Sequence, residues 1–229
     1  MTSKQIDDCQ KTNEWDLANK VLYDLCLTNF THDTNEKILA KTLLIGRAYA
    51  AAIERRKNKS EINDNFYLDI VAPAFYESKI DDYITNLNKH KIISIESIPK
   101  IIDAHNYLTQ LLFKITNLEK RSFSSKYLHF HLPELFFIYD TRAVSAMRLF
   151  VKKLPKELQV LTDRENTDRE YSNFFYKCIY LREIINERFN VLLNPRQLDN
   201  LLIETTNKEM INRKHMKMNY QSEHLIKNH

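Results

Sequence analysis

The sequence predicts an all-α, multi-helix globule on three grounds: glycine is almost missing, apolar residues recur at helical spacing, and helix-capping patterns punctuate the chain. At an average usage of about 7%, a chain of 229 residues would carry roughly 16 glycines. This one has a single glycine, Gly46. Hairpins, Rossmann loops and phosphate-binding loops need glycine where the backbone turns sharply or approaches a phosphate, so those classes are excluded together. Hydrophobic residues at 43%, with twelve Phe and twelve Tyr, can fill a core, and 28% charged residues can solvate the outside. That balance argues against disorder.

The elements follow in chain order. Trp15, Leu17, Ala18, Val21, Leu22 and Leu25 mark an amphipathic helix over about residues 13 to 28. Asp33-Thr34-Asn35-Glu36 has capping-box spacing ahead of an apolar run from Ile38 to Ile53, which predicts a central helix. After the charged stretch Glu54 to Lys59, Ser60 can cap a helix that ends near Ala72-Pro73, because the residue before proline is pushed out of the α region. Another helix is expected from Ala74 to about Asn88. Ile98, Ile101, Ile102, His105, Leu108, Leu112 and Ile115 form a 3.6-residue stripe starting just after Ser97, with His105 read as a core histidine. Residues 121 to 132 predict a short helix that stops before Pro133, and Asp140 or Thr141 can cap the next, running to about Lys153. Thr167-Asp168-Arg169-Glu170 is a second capping box, ahead of Tyr171, Phe174, Phe175, Cys178, Ile185 and Phe189 on one face. Asn194-Pro195 opens a last helix with proline in its first position, carrying Leu198, Leu201 and Leu202.

No repeat or Gly/Ser-rich linker divides the chain, so residues 1–206 are expected to form a single helical domain. Residues 207–229 are expected to be a basic C-terminal tail, extended or disordered. From Lys208 to His229 five basic residues stand against two acidic ones, which accounts for most of the net charge of +4. A basic tail permits a nucleic-acid partner and is equally compatible with simple solvation. Cys9, Cys26 and Cys178 are odd in number and lack CxxC spacing, which fits a reducing, cytoplasmic setting. No apolar signal segment opens the chain, and nowhere do about 18 apolar residues run together, so no membrane association is expected.

Candidate chemistry concentrates in one segment. His129 and His131 lie two apart without a third ligand at suitable spacing, so no metal site is expected. The stretch from Arg121-Ser122-Phe123-Ser124-Ser125-Lys126 through Tyr127-Leu128-His129-Phe130-His131-Leu132-Pro133 to Glu134-Leu135-Phe136-Phe137-Ile138-Tyr139-Asp140-Thr141-Arg142-Ala143 carries a lysine near a helix start, a proline-broken connection, and an aspartate poised to cap the next helix. It resembles the 8-oxoguanine DNA glycosylase-like proteins of the helix-hairpin-helix glycosylase superfamily. Weaker echoes occur around Gly46 to Arg56 and Asn194 to Asn200. The resemblance implies an orthogonal multi-helix fold, Lys126 as nucleophile, Asp140 as catalytic aspartate, double-stranded DNA as partner, and no cofactor.

The chemistry of such a pair can be argued independently. An amine attacks an anomeric carbon only when neutral, whereas an ordinary lysine is almost wholly protonated at neutral pH. Burial, a nearby cation such as Arg121 and a helix N-terminus all favour the neutral form. An ionised aspartate can stabilise positive charge developing on the sugar. Arg121, Ser125, His129, Arg142, Arg47 and Arg55 are the candidate DNA contacts, with Arg56 beside them. Phe123, Tyr127, Phe130, Phe136, Phe137 and Tyr139 are core residues first and base-stacking surfaces second. The activity that the resemblance implies is excision of an oxidised or modified purine, with lyase activity through the lysine. The glycine-containing hairpin of the family is missing before Lys126, which motivates the alternative: a non-catalytic helical module that binds DNA or a protein partner.

Overall fold

The computed structural model describes residues 1–54 and 65–226, and of 213–226 only the backbone path. Arg55, Arg56 and the Ser60 cap lie outside the described residues. The described chain is all α-helical, with no strand among the described residues: α1 (Ser3–Cys9), α2 (Glu14–Thr28), α3 (Asn35–Ala48), a π-helical turn at Tyr67–Val71, α4 (Ala72–Tyr76), α5 (Ile80–Leu87), α6 (Ser97–Thr116), α7 (Arg121–His131), α8 (Thr141–Phe150), α9 (Lys156–Leu161), α10 (Arg169–Phe189) and α11 (Pro195–Ile226). Buried apolar side chains from Ile6 to Leu202 join into one core. No helix among the described residues is long and apolar enough to cross a membrane, and Cys9, Cys26 and Cys178 are all free and buried.

With one glycine available, other residues take the left-handed positions that end helices. Asn117 (φ 54°) caps α6 and Asn190 (φ 55°) caps α10. Asparagine tolerates this region because its short polar side chain bonds locally. Ala50 (φ 50°) has no such help and carries a cost of about 1–2 kcal/mol. It ends the helix expected to reach Ile53, and α3 stops at Ala48. Gly46 is needed for close approach rather than for φ. A Cβ there would sit 3.1 Å from the Ala52 Cα and 3.6 Å from the Phe123 ring, so a larger residue would push the chain after α3 back by a few tenths of an ångström.

Other boundaries move for identifiable reasons. The helix end expected near Pro73 is replaced by a π turn in which the Ala72 N–H donates to the Tyr67 carbonyl, whereas the end expected near Asn88 is met by Asn88 as the C-cap of α5. The π turn leads directly into α4, with Pro73 in its first turn. Proline lacks the N–H that would continue an ordinary ladder, and a π turn absorbs the mismatch. A break at residues 77–79 then separates α4 from α5. Both expected capping boxes shift by one residue: Thr34 accepts from the Lys37 N–H, and Asp168 from the Glu170 and Tyr171 N–H groups. Helix α8 ends at Phe150, short of Lys153. Where an extended tail was expected from residue 207, α11 continues to Ile226.

Helix α7 is the axis of the molecule. Every residue from Phe123 to His131 is buried, because α2, α3 and α6 all pack against it. A helix buried all round must satisfy each of its polar groups internally, and α7 carries Ser124, Ser125, Lys126, His129 and His131. How those side chains find partners determines the shape of the site.

Candidate active site

Lys126 is 3% exposed, and its three ammonium donors meet three acceptors. Its Nζ lies 3.2 Å from Asp140 Oδ2, 3.0 Å from Ser122 Oγ and 3.4 Å from the Tyr49 carbonyl. The Tyr49 ring stands 5.6 Å away. Asp140 serves two purposes with two oxygens: Oδ1 accepts the Arg142 and Ala143 N–H groups as the cap of α8, while Oδ2 faces the lysine. The cap is also a device for holding the acid beside the amine.

Two polar residues of α7 fix the segment that carries Asp140. Ser125 Oγ accepts the Tyr139 N–H at 2.9 Å, one residue ahead of Asp140. His129 Nδ1 donates to the Phe136 carbonyl at 2.8 Å, which leaves Nε2 to accept from the Tyr23 hydroxyl at 2.8 Å. Burial pushes the His129 pKa down to about 4, in keeping with a neutral ring in that bonding pattern. Together they fasten the connection after Pro133 along α7.

Lys126 and Asp140 both line a cleft of about 980 Å³, at the upper end of the range of roughly 300–1,000 Å³ typical of ligand sites. It opens between α1, α2, α7, α8 and α11, with Trp15, 61% exposed, at its border and Tyr49 in its wall. Arg196, in the first turn of α11, donates from Nε to Asp16 Oδ1 and from Nη1 to Asp199 Oδ2, both at 2.6 Å. Asp199 is 5% exposed and also lines the cleft. Burial raises its carboxyl to about 6 against the pull of Arg196. No sequence pattern singled it out, although Arg196 and Asp199 at i,i+3 after a helix-starting proline carry the pair.

The structure brings together Lys126, Asp140 and Arg142, whose guanidinium donates to Asn207 Oδ1 on α11. It does not bring the other candidates to them. Arg121 is bound to Asp168 (2.6 Å), Glu119 (2.6 Å) and Glu170 (3.4 Å), so it neither sits beside Lys126 nor faces outward as a free cation. Ser125 and His129 are fully buried and act as the fasteners described above, not as DNA contacts. Arg47 is exposed but pairs with Glu54 at 2.8 Å and lies outside the cleft lining. Of the aromatic candidates, Phe123, Tyr127, Phe130, Phe136 and Phe137 are core, and the half-buried Tyr139 donates to Glu170. The aromatic rings at the cleft are instead Trp15 and Tyr49.

No protein-family model, curated protein or solved structure matches the chain. The geometry of the cleft therefore carries the functional argument. Asp168, 3% exposed in its side chain, depends on Arg121 for its counter-charge. Arg121→Leu is expected to lower stability by about 2–4 kcal/mol, since removing one partner leaves a buried charge unmatched. Urea unfolding would measure that loss, and an unchanged midpoint would return Arg121 to the list of surface cations.

Proposed function

We propose that this chain is a DNA glycosylase with lyase activity, acting on an oxidised or otherwise modified purine in duplex DNA. The observation that carries the reading is the meeting of a buried lysine and a helix-capping aspartate at 3.2 Å in the wall of a cleft large enough to admit a nucleoside. Four further features support it. Helices α6 and α7 are joined by a short hairpin at residues 117–120 just ahead of Lys126, the order that the resemblance to helix-hairpin-helix glycosylases implies. Asn117 in the left-handed region ends α6 and lets the chain turn there without glycine. Trp15 and Tyr49 offer aromatic faces to an extruded base. Carboxylates Asp8, Glu14, Asp140, Asp199 and Glu204 outnumber the cations Lys126, Arg142 and Arg196 in the lining, so the cleft suits a nucleoside and keeps phosphates at its border.

In this reading Lys126 gives a proton to solvent in the cleft and its neutral nitrogen attacks C1′ of the flipped nucleotide. The glycosidic electron pair leaves with the base, which takes up a proton from water. Asp140 stays ionised and stabilises positive charge developing on the sugar. Opening of the sugar ring gives an iminium between Lys126 and C1′, and loss of the C2′ proton then expels the 3′ phosphate. Borohydride reduces the iminium to a stable amine. The test is to incubate the full chain and borohydride with duplexes carrying either 8-oxoguanine or a bare abasic site. A covalent adduct on the abasic duplex is expected, with release of free base from a modified-purine duplex. Salt-sensitive DNA binding with neither adduct nor base release would replace the enzyme by a non-catalytic module.

A further inference from the structure

Asp199 has one oxygen that the protein leaves unmatched. Its Oδ2 is held by Arg196 Nη1 at 2.6 Å, and the same guanidinium is fixed from its Nε by Asp16. Asp16 in turn accepts from Asn200 Nδ2 and from the Asn13 N–H. The carboxylate is thus clamped through elements α2 and α11 and is not free to turn away. Its Oδ1, by contrast, is buried with no hydrogen-bond partner, while the residue lines the cleft that holds Lys126 and Asp140. Buried polar atoms in folded proteins are nearly always paired, so an unmatched acceptor on a clamped side chain in a cleft wall calls for a donor from outside the protein.

We infer that Asp199 is a specificity-determining residue whose Oδ1 accepts an N–H from the exocyclic amine of the base in the cleft. The inference rests on the nucleoside reading of the cleft and adds what that reading lacks, a group that reads the base. A carboxylate oxygen repels phosphate and finds no proton on an edge made only of acceptors, whereas it matches the amine of a base directly. The surplus of carboxylates along the lining favours the same ligand chemistry. Arg196, donating alongside, adds a positive partner for an acceptor next to that N–H.

Duplexes with a single bulged nucleotide present a base that is cheap to extrude, and they test the inference without any chemistry at the sugar. Adenine would be compared with purine, and cytosine with 2-pyrimidinone, each pair differing by one amino group. The full-length protein is expected to bind at least one amino-bearing member about 10- to 100-fold more tightly than its counterpart, as suits a hydrogen bond to a charged group. Asp199→Asn, nearly isosteric and able to keep an acceptor toward Arg196, is expected to lose most of that preference. Asp199→Glu, which displaces the carboxylate by one methylene, gives the same answer should the first variant fold poorly. Equal binding within both pairs by the unaltered protein overturns the inference, as does an undiminished preference in a folded variant. Failure of the lysine chemistry reads differently: base preference without an adduct on abasic DNA would remove the nucleophile and leave Asp199 in place, while an adduct without base preference would do the reverse.

Discussion

Lys126→Ala is expected to abolish the borohydride-trapped adduct on abasic DNA, with a loss of roughly 10³-fold or more, because no other amine can replace a nucleophile held at the reacting carbon. The fold should survive. Lys126 contributes a buried charge whose removal frees Ser122 Oγ, the Tyr49 carbonyl and Asp140 Oδ2, but Asp140 is partly exposed in its side chain, at 23%, and solvent can reach it through the cleft. An adduct of undiminished yield in this variant would move the nucleophile elsewhere in the chain.

Asp140 needs a substitution that separates capping from chemistry. Asparagine is about as good an N-cap as aspartate, so Asp140→Asn keeps the bonds to the Arg142 and Ala143 N–H groups and should alter stability by less than about 1 kcal/mol. It removes the negative charge facing the lysine and the sugar, which is expected to slow base release by roughly 10²- to 10³-fold, the usual cost of losing one electrostatic stabiliser. Asp140→Ala should add about 1 kcal/mol of lost cap. If single-turnover base release by the asparagine variant matched the parent protein, Asp140 would be a cap and nothing more.

What the sequence disclosed of this arrangement was local, and what it concealed depends on partners far along the chain. The all-α class follows from one glycine, and the Ser97 stripe and the Asn194-Pro195 start both fall on real helices, because periodicity and caps involve neighbours a few residues apart. The cap at Asp140 was readable for the same reason. Arg121 reads as a DNA contact in the sequence because its partner Asp168 lies 47 residues on. Ser125 and His129 read as site residues because a short helix with three serines and two histidines suggests half exposure. Only the packing of α2, α3 and α6 around α7 makes them internal. Asp199 owes its raised carboxyl to burial, against the pull of Arg196, and Arg196 is itself held by Asp16 of α2, 180 residues away in the chain. The short helices α1 and α9 offer too few residues for a period to register.

Acid is expected to unfold the protein at a mild pH, and the reason lies in the same buried histidines that shape α7. His105, His129, His32 and His131 are all buried. Burial pushes His105 down to about 3 and His129 to about 4, takes His131 well below its ordinary value and lowers His32. A histidine whose folded pKa is depressed stays neutral in the native state, while the unfolded chain takes up its proton below about 6.5. Stability is therefore present above that pH and is lost as pH falls toward the folded values. At pH 5 His105 and His129 each contribute a loss of about 2 kcal/mol, taking 1.36 kcal/mol per pH unit, or about 4 kcal/mol together, and His131 acts in the same direction. That is a large share of the 5–15 kcal/mol that holds an ordinary domain folded. Asp199 acts in the opposite sense. Its raised carboxyl, at about 6, costs stability as pH rises through that value, and acidification to pH 5 returns only about 1 kcal/mol, so the histidines prevail. Urea unfolding between pH 8 and 4.5 should show a steep loss of stability below about pH 6. His105→Leu removes a ring stacked 3.4 Å from Tyr171, with an unpartnered Nδ1, and should lessen the loss at pH 5 by about 2 kcal/mol. An acid limb of unchanged slope in that variant would show that the ring is already charged in the fold. Because His129 secures the segment that ends in Asp140, the same acid limb should bound the working range of the cleft, with base release failing where the fold does and not before.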